Sequence, residues 1–159
     1  MQYSLIVGTM VLSAVASIAF AQGPAAYGEP ITLENAKKAA APAAAEARKN
    51  GWLMAVAVVD PGGNLVYFEK MDGTQVASVN IAQDEARSSV RFKRPTKAMQ
   101  DILAGGGAGV RFLALQGAVP VEGGLPIVMD GKIVGAIGAS GGTSEQDGQA
   151  AKAGADSVK

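Results

Sequence analysis

The chain has 159 residues with 14 Lys or Arg and 14 Asp or Glu, so its formal net charge at pH 7 is zero. A neutral chain lacks the positive field that non-specific binding to nucleic acid requires, which sets nucleic acid aside as a partner. The chain contains no histidine and no cysteine. These absences exclude Ser-His-Asp and Cys-His nucleophiles and predict no metal site of the zinc type. The remaining residues give no catalytic constellation, so the sequence leaves open whether the protein is an enzyme.

The first 21 residues carry no charged side chain, and an apolar block from Leu5 to Phe20 ends in Ala19-Phe20-Ala21. The block is too short and too rich in small residues for a membrane span, and small-x-small is the pattern that signal peptidase cleaves. We therefore expect residues 1–21 to be a signal peptide of a secreted or periplasmic protein with no stable membrane anchor. Residues 22–30 are a Gly/Pro/Ala linker, and residues 31–159 form a single domain.

The first elements after the linker are a helix and a hairpin. Thr32 is a suitable N-cap for a helix that runs to about Asn50-Gly51, with Pro42 expected to kink or divide it. Residues 53–59 are continuously apolar and rich in β-branched side chains, which predicts a buried strand. Turn residues then lead to a second strand over residues 65–71.

A second helix is expected to start at Ser78 as its N-cap and to end in the basic stretch Arg91 to Arg94 before Pro95. Thr96 starts a short helix through Leu103, and a glycine-rich stretch, residues 105–109, follows as a loop. That stretch lacks the context of a phosphate-binding motif.

The C-terminal third predicts strands, a tight hairpin and a final helix. Asp130-Gly131 between two apolar runs is typical of a type I′ turn. The predicted strands are residues 110–115, 117–121, 125–129 and 132–139, and the last helix spans about residues 144–158. Because strands joined by tight turns pair antiparallel and need helices over their apolar faces, the order of elements predicts an α+β sandwich with a sheet of about five strands.

Several short motifs together resemble a known family. They are Val58-Val59-Asp60-x-Gly62-Gly63-x-Leu65, Phe92-x-x-Pro95-Thr96, Gly123-Gly124-x-Pro126-Ile127, Asp130-Gly131, Gly135-x-Ile137-Gly138-x-Ser140-Gly141 and Glu145-Gln146-Asp147. From about residue 31 to the C-terminus, their order and spacing are similar to the GlcG/HbpS-type haem-binding, or haem-degrading, family. The resemblance implies a profilin-like α-β-α fold, a homo-oligomer, and haem as the cofactor in certain secreted members.

The chain departs from the family pattern in the second helix and in its lack of histidine. Glu85-Ala86 stands where the family usually has Lys-Ala, and the loss of that cation weakens the case for an anion site on this helix. Without histidine or cysteine, a haem iron ligand would have to come from other side chains. The candidates are Met71, Met99, Tyr67, Thr96 or a lysine.

The candidate binding residues lie in two stretches. Arg91 and Arg94 would pair with haem propionates or a small carboxylic acid, because the guanidinium group matches a carboxylate. Phe92 would stack on a flat ligand, and Thr96 would add a hydroxyl group. Gly123-Gly124 would offer backbone N–H groups. Structural roles are the alternative, namely a helix C-terminus for the arginines, a core position for Phe92 and close backbone approach for the glycines.

Three functions follow as hypotheses. The first is a secreted or periplasmic protein that binds haem or another tetrapyrrole for scavenging, buffering or sensing. The second is a binder of, or an enzyme acting on, a small carboxylic acid at a subunit interface. The third is an oligomeric scaffold without a ligand.

Overall fold

The computed structural model describes residues 24–159, so the predicted signal peptide lies outside the described residues. The elements in chain order are helix α1 (Leu33–Lys49), strands β1 (Ala55–Val59) and β2 (Leu65–Lys70), helices α2 (Ser78–Phe92) and α3 (Thr96–Ala104), a 3-10 helix (Gly107–Ala114), strands β3 (Gly124–Met129) and β4 (Lys132–Ser140), and helix α4 (Ser144–Ala155). Within residues 24–159, no helix has the length and apolar character needed to cross a membrane.

The strands form one antiparallel sheet in the order β2-β1-β4-β3. All five residues of β1 are buried, as expected for a central strand with both faces covered. Helices α1 and α4 pack against each other and cover one face, whereas α2 covers the other. This arrangement confirms the predicted α+β sandwich.

The sheet has four strands in the described residues rather than about five. The predicted strand over residues 110–115 falls largely in the 3-10 helix, and residues 117–121 form turns and irregular backbone. Gly106 and Gly107 have positive φ angles of 67° and 53°, which turn the chain before a strand can begin. Because periodicity cannot assign a short apolar run to a strand or a helix, the sequence pattern was ambiguous here.

Helix α1 begins as predicted, since the Thr32 hydroxyl accepts a hydrogen bond from the Asn35 N–H at 3.2 Å. The prediction that Pro42 divides it is wrong, because the helix continues through that residue. Its buried face is made of alanines, which lets α4 approach closely. A β-carbon on Gly154 of α4 would overlap with the Ala39 carbonyl oxygen.

The N-termini of α2 and α4 differ in how they are capped. The N-cap of α2 is Ala77 without a side-chain hydrogen bond, so the prediction of Ser78 as the cap is wrong. The Ser78 hydroxyl instead lies 3.1 Å from the Ser140 hydroxyl, between the helix and the sheet. In α4, Thr143 and Gln146 form the reciprocal pair of hydrogen bonds known as a capping box.

The segment before α1 pairs with the first residues of β4. The Gly28 N–H donates to the Ile133 carbonyl and the Ile133 N–H donates to the Ala26 carbonyl, both at 2.8 Å. The described part of the predicted linker therefore lies against the sheet next to the hairpin of β3 and β4.

Candidate functional site

A cleft of about 230 Å³, here called the glycine cleft, lies where the chain enters β3. It is formed by the start of α3, the residues around the start of β3, and one side of α4. Its lining residues are Pro95, Lys97, Glu122, Gly123, Gly124, Leu125, Gly148 and Lys152.

The glycine pair is explained by the close approach of β3 to α2. A β-carbon on Gly123 would overlap with the Glu85 carboxyl group, and a β-carbon on Gly124 would overlap with the Glu85 backbone carbonyl. The Gly124 N–H donates to the buried Thr96 hydroxyl at 2.9 Å, and that hydroxyl lies 3.4 Å from the Gly124 carbonyl oxygen. Since Thr96 takes the Gly124 N–H, this group is not free to bind an anion.

The rim of the cleft carries two lysines, Lys97 and Lys152, and one acid, Glu122. Lys97 forms an ion pair with Asp101 at 2.9 Å and lies 3.7 Å from Glu122. The hydrogen bond to Asp101 raises the pKa of Lys97 above its ordinary value. Lys152 forms an ion pair with Asp156, four residues later on the same helix. The side chains of Lys97 and Lys152 are 51% and 66% exposed, so both ammonium groups are accessible to solvent while each is paired with an acid.

Behind the cleft wall, Glu85 of α2 is fully buried, and neither of its carboxyl oxygens has a hydrogen-bond partner. Burial raises the pKa of Glu85 to about 10, and the charges of Asp147 and Asp84 add to this effect. A carboxyl group with such a pKa is neutral at pH 7. It therefore adds no negative charge beneath the cleft.

Asp147 of α4 is a second buried acid, only 5% exposed. Its carboxylate accepts a hydrogen bond from the Gly142 N–H at 2.8 Å. Burial raises the pKa of Asp147 to about 6, against the opposing effect of the backbone groups of Gly141 and Gly142. Asp147 directly precedes Gly148, which lines the cleft.

The structure brings together only part of the predicted site. Gly123 and Gly124 line the cleft, and Thr96 lies directly behind them. Arg91, Phe92 and Arg94 do not line it.

These three residues are engaged elsewhere. The Arg91 side chain lies against Gly117 and Gly63. The Arg94 side chain donates to the Phe92 carbonyl at 3.1 Å. The half-buried Phe92 ring packs edge-on against Phe112, with their centroids 6.5 Å apart.

The site residues proposed from the sequence did not include the two lysines or the two buried acids, although Glu85 was noted as a departure from the family pattern and Asp147 as part of a motif. Lys97 follows Thr96 directly, but a lysine near a helix start looks like any solvated charge. Glu85 carried a better signal, because it lies three residues after Ala82 and next to Ala86, on the apolar stripe of α2. A charged residue in such a stripe is uncommon without a partner.

A larger cleft of about 340 Å³ lies between the segment before α1 and the hairpin of β3 and β4. Its polar lining includes Glu29, Asn35, Asp130 and Lys132, so acidic groups outnumber the single lysine among them. It presents one lysine, whereas the glycine cleft presents two. Within residues 24–159, no group of three or more His, Cys, Asp or Glu residues is placed to hold a metal ion.

The side chains considered as haem iron ligands are mostly engaged in other contacts. Met99 is fully buried, with its sulfur 3.8 Å from the Ser88 hydroxyl. The Tyr67 hydroxyl donates to Glu69 at 2.8 Å, and Met71 packs against the core. Among these candidates, lysine is the side chain that the glycine cleft presents.

The fold and the cleft define an α-β-α sandwich protein with a small cleft, bordered by two lysines, beside a glycine pair. The family model described as "Haem degrading protein HbpS-like" matches residues 31–156. The chain therefore belongs to the HbpS-like family, which confirms the resemblance found in the sequence.

Relatives and solved structures agree with this membership. Protein GlcG of Escherichia coli is 36% identical over 95 residues, which are 60% of this chain and 69% of GlcG. A double mutant of Streptomyces reticuli HbpS is 32% identical with a TM-score of 0.76, covering 92% of this chain and 99% of that one. A structure of PduOC in complex with heme has a TM-score of 0.73 at 23% identity, covering 82% and 96% of the two chains, and shows a shared fold.

Proposed function

We propose that this protein binds haem or a related tetrapyrrole and serves to scavenge, buffer or sense it. The observation that carries the proposal is membership of the HbpS-like family over residues 31–156. The fold alone would not carry it, because one fold supports many functions.

The residues of the glycine cleft fit the carboxylate groups of haem. Lys97 and Lys152 offer two ammonium groups, and the buried Glu85 beneath them is neutral at pH 7. Haem supplies a redox-active iron when it is bound. The residues of this chain would hold its propionates and orient the macrocycle.

The size of the cleft limits how haem can lie. At about 230 Å³, it falls below the roughly 300–1,000 Å³ of pockets that enclose drug-sized ligands. The propionate edge would enter the cleft, and the rest of the macrocycle would lie on the surface outside it. A second copy of the chain would then be needed to cover the macrocycle.

Exposed apolar side chains support assembly into a homo-oligomer. Val110, Leu113 and Leu115, on and just after the 3-10 helix, are 50%, 68% and 41% exposed. Size-exclusion chromatography with light scattering should give a mass that is a multiple of the monomer mass. A monomer at micromolar concentration would contradict this part of the proposal.

We also propose that the protein is secreted or periplasmic. The support is the apolar block before Ala19-Phe20-Ala21. Expression of the full chain in a bacterial host, followed by fractionation and intact mass spectrometry, should give a periplasmic or secreted product that lacks residues 1–21. A cytoplasmic product retaining those residues would contradict the expectation.

The test of haem binding is a hemin titration of the mature protein, followed at the Soret band. We expect a shifted band and saturation at a fixed stoichiometry. Replacing both cleft lysines (Lys97→Gln with Lys152→Gln) should weaken binding about tenfold or more, whereas Lys132→Gln in the other cleft should leave it unchanged. No saturable change with the unmodified protein would refute haem binding.

A small carboxylic acid is the second candidate ligand, and the volume of the cleft favours it. Such a molecule fits within about 230 Å³ without a second subunit. A thermal-shift screen against hydroxy and keto acids would detect binding. A ligand at a hundredfold excess over its Kd raises the free energy of unfolding by about 2.7 kcal/mol. An unchanged melting temperature across the panel, with no hemin binding, would leave a scaffold without a ligand.

A further inference from the structure

The 3-10 helix presents an apolar ridge to solvent. Residues three apart share a face in such a helix, and Gly109 and Phe112 form its buried face. Val110 and Leu113 therefore share another face, and both are at least half exposed. Arg111 lies beside them and forms no ion pair within residues 24–159. We call Val110, Arg111 and Leu113 the 3-10 ridge, which combines two aliphatic side chains with one cation.

The larger cleft, between the segment before α1 and the hairpin of β3 and β4, has an apolar floor. Ile31, Met129 and Val134 are among the residues that line it. An apolar cavity of roughly 150 Å³ holds a benzene ring. At about 340 Å³, the larger cleft therefore has room for two aliphatic side chains.

The charges that line the larger cleft are Glu29, Asp130 and Lys132. All three are exposed, and none forms an ion pair within the described part of the chain. Glu34, in the first turn of α1, is paired with Lys38 at 2.8 Å and adds no net charge. Two acids against one lysine leave the cleft negative, so its charge is opposite to that of the 3-10 ridge.

The ridge and the cleft belong to different parts of the surface. No ridge residue lines the larger cleft, and the 3-10 helix packs mainly against α3. The charges Lys97 and Asp101 of α3 are paired with each other at 2.9 Å, so they leave the cation of the ridge unopposed. Ridge against ridge would bring Arg111 close to Arg111 of a second copy, whereas ridge against cleft brings opposite charges together.

We propose that the chain assembles head to tail, with Val110 and Leu113 of one copy seated in the larger cleft of the next copy. Arg111 then faces Glu29 and Asp130 of that copy. The inference rests on the proposed homo-oligomer and names the two surfaces that build it. Because the contact joins two different surfaces, it gives a closed ring if the rotation between copies closes and a filament if it does not.

The test measures assembly of the purified protein by sedimentation equilibrium, for Arg111→Glu, for Glu29→Arg and for an equal mixture of the two variants. Glu29 is preferred to Asp130 for the reversal, because the φ angle of 48° at Asp130 suits aspartate better than a long side chain. Lys70→Glu and Asp72→Arg are the matched controls, since both are exposed charges that belong to neither surface. The melting temperature of each variant reports its folding.

We expect either reversal alone to raise the dissociation constant for assembly about tenfold or more, because it sets like charges against each other. The controls should leave this constant unchanged. The mixture should assemble about as tightly as the unmodified protein, since each ridge then meets a cleft of opposite charge on the other variant.

The outcomes separate the head-to-tail contact from the homo-oligomer itself. An oligomer that neither reversal weakens, or two variants that stay dissociated when mixed, would overturn the inference and leave the homo-oligomer intact. An unmodified protein that is monomeric at micromolar concentration would overturn both.

A second measurement covers the case in which a reversed variant does not fold. The chain contains no cysteine, so single introduced cysteines can be oxidised with diamide to trap the contact as a disulfide. Leu113→Cys mixed with Glu29→Cys should give a cross-link between the two variants, whereas Leu113→Cys mixed with Asp72→Cys should not. Cross-links only between two copies of Leu113→Cys, or none at a concentration where the oligomer forms, would overturn the inference.

Discussion

Glu85 and Gly123 are packed so closely that the Glu85 carboxyl group fills the space of a side chain that Gly123 lacks. The contact fixes the path of the chain into β3 over α2. It also places a buried acid one backbone thickness away from the glycine cleft.

We predict that Gly123→Ala destabilises the protein by about 1–3 kcal/mol, the usual cost of overpacking a core site. The new methyl group would overlap with the Glu85 carboxyl group and with the Ala139 carbonyl oxygen. Gly105→Ala is the matched control, because Gly105 has an ordinary φ of −69° and room for a β-carbon. Urea unfolding of both variants measures the effect, and equal stabilities would contradict the packing argument.

We predict that stability falls as the pH rises from 5 to 8. The folded-state pKa of Glu85 is about 10, above its ordinary value of 4.5. The folded state therefore holds a proton that the unfolded state has lost, so stability declines between pH 4.5 and pH 10. The decline is at most about 1.4 kcal/mol per pH unit for one proton. Asp147, with a folded pKa of about 6, adds a decline of the same sign below that pH.

Glu85→Gln should remove most of the decline of the unfolding free energy with rising pH, because glutamine does not titrate. Urea unfolding at pH 5.0, 6.5 and 8.0 gives the comparison, with Asp72→Asn expected to keep the slope of the unmodified protein. If Glu85→Gln and the unmodified protein lose stability in parallel, Glu85 is ionised in the folded protein and the interpretation of its burial is wrong.

Much of the architecture could be predicted from local residue patterns. The Asp130-Gly131 turn forms with the positive φ angles that its residues favour, 48° and 71°. The two strand predictions that were wrong lie in the region 107–121, where short apolar runs alternate with glycines. Such runs have no period long enough to separate a strand from a 3-10 helix, and tertiary packing decides between them.

The candidate site was harder to predict because its parts are far apart in the chain. Thr96 and Gly124 were both named from motifs, and their hydrogen bond joins positions 28 residues apart. Arg91 was named because guanidinium groups match carboxylates, but the sequence does not show which side of α2 faces the cleft. Glu85 was noted as a departure from the family pattern, but its burial was not predicted, although it lies on the apolar stripe of α2.

We predict that Thr96→Val destabilises the protein by about 1–3 kcal/mol, the cost of leaving a buried polar group unpaired. Valine has nearly the same shape as threonine but cannot accept the hydrogen bond from the Gly124 N–H. Thr96→Ser keeps the hydroxyl group and should recover most of the loss. Chemical unfolding of the two variants separates the hydrogen bond from packing. If Thr96→Val lowers the free energy of unfolding no more than Thr96→Ser does, the hydrogen bond does not stabilise the start of β3.

Arg91 and Lys152 distinguish the site predicted from the sequence from the site found in the structure. Arg91 lies against Gly63 and Gly117, whereas Lys152 lines the glycine cleft. Hemin titration should therefore show that Arg91→Gln changes the dissociation constant by less than about twofold, and that Lys152→Gln raises it about three- to tenfold, as for the loss of one nearby charge. Added salt should reduce the hemin affinity of the unmodified protein more than that of Lys152→Gln. The reason is that salt screens the charge of Lys152, which the variant lacks. A large loss with Arg91→Gln and none with Lys152→Gln would place the propionates on the arginine side of α2, away from the glycine cleft.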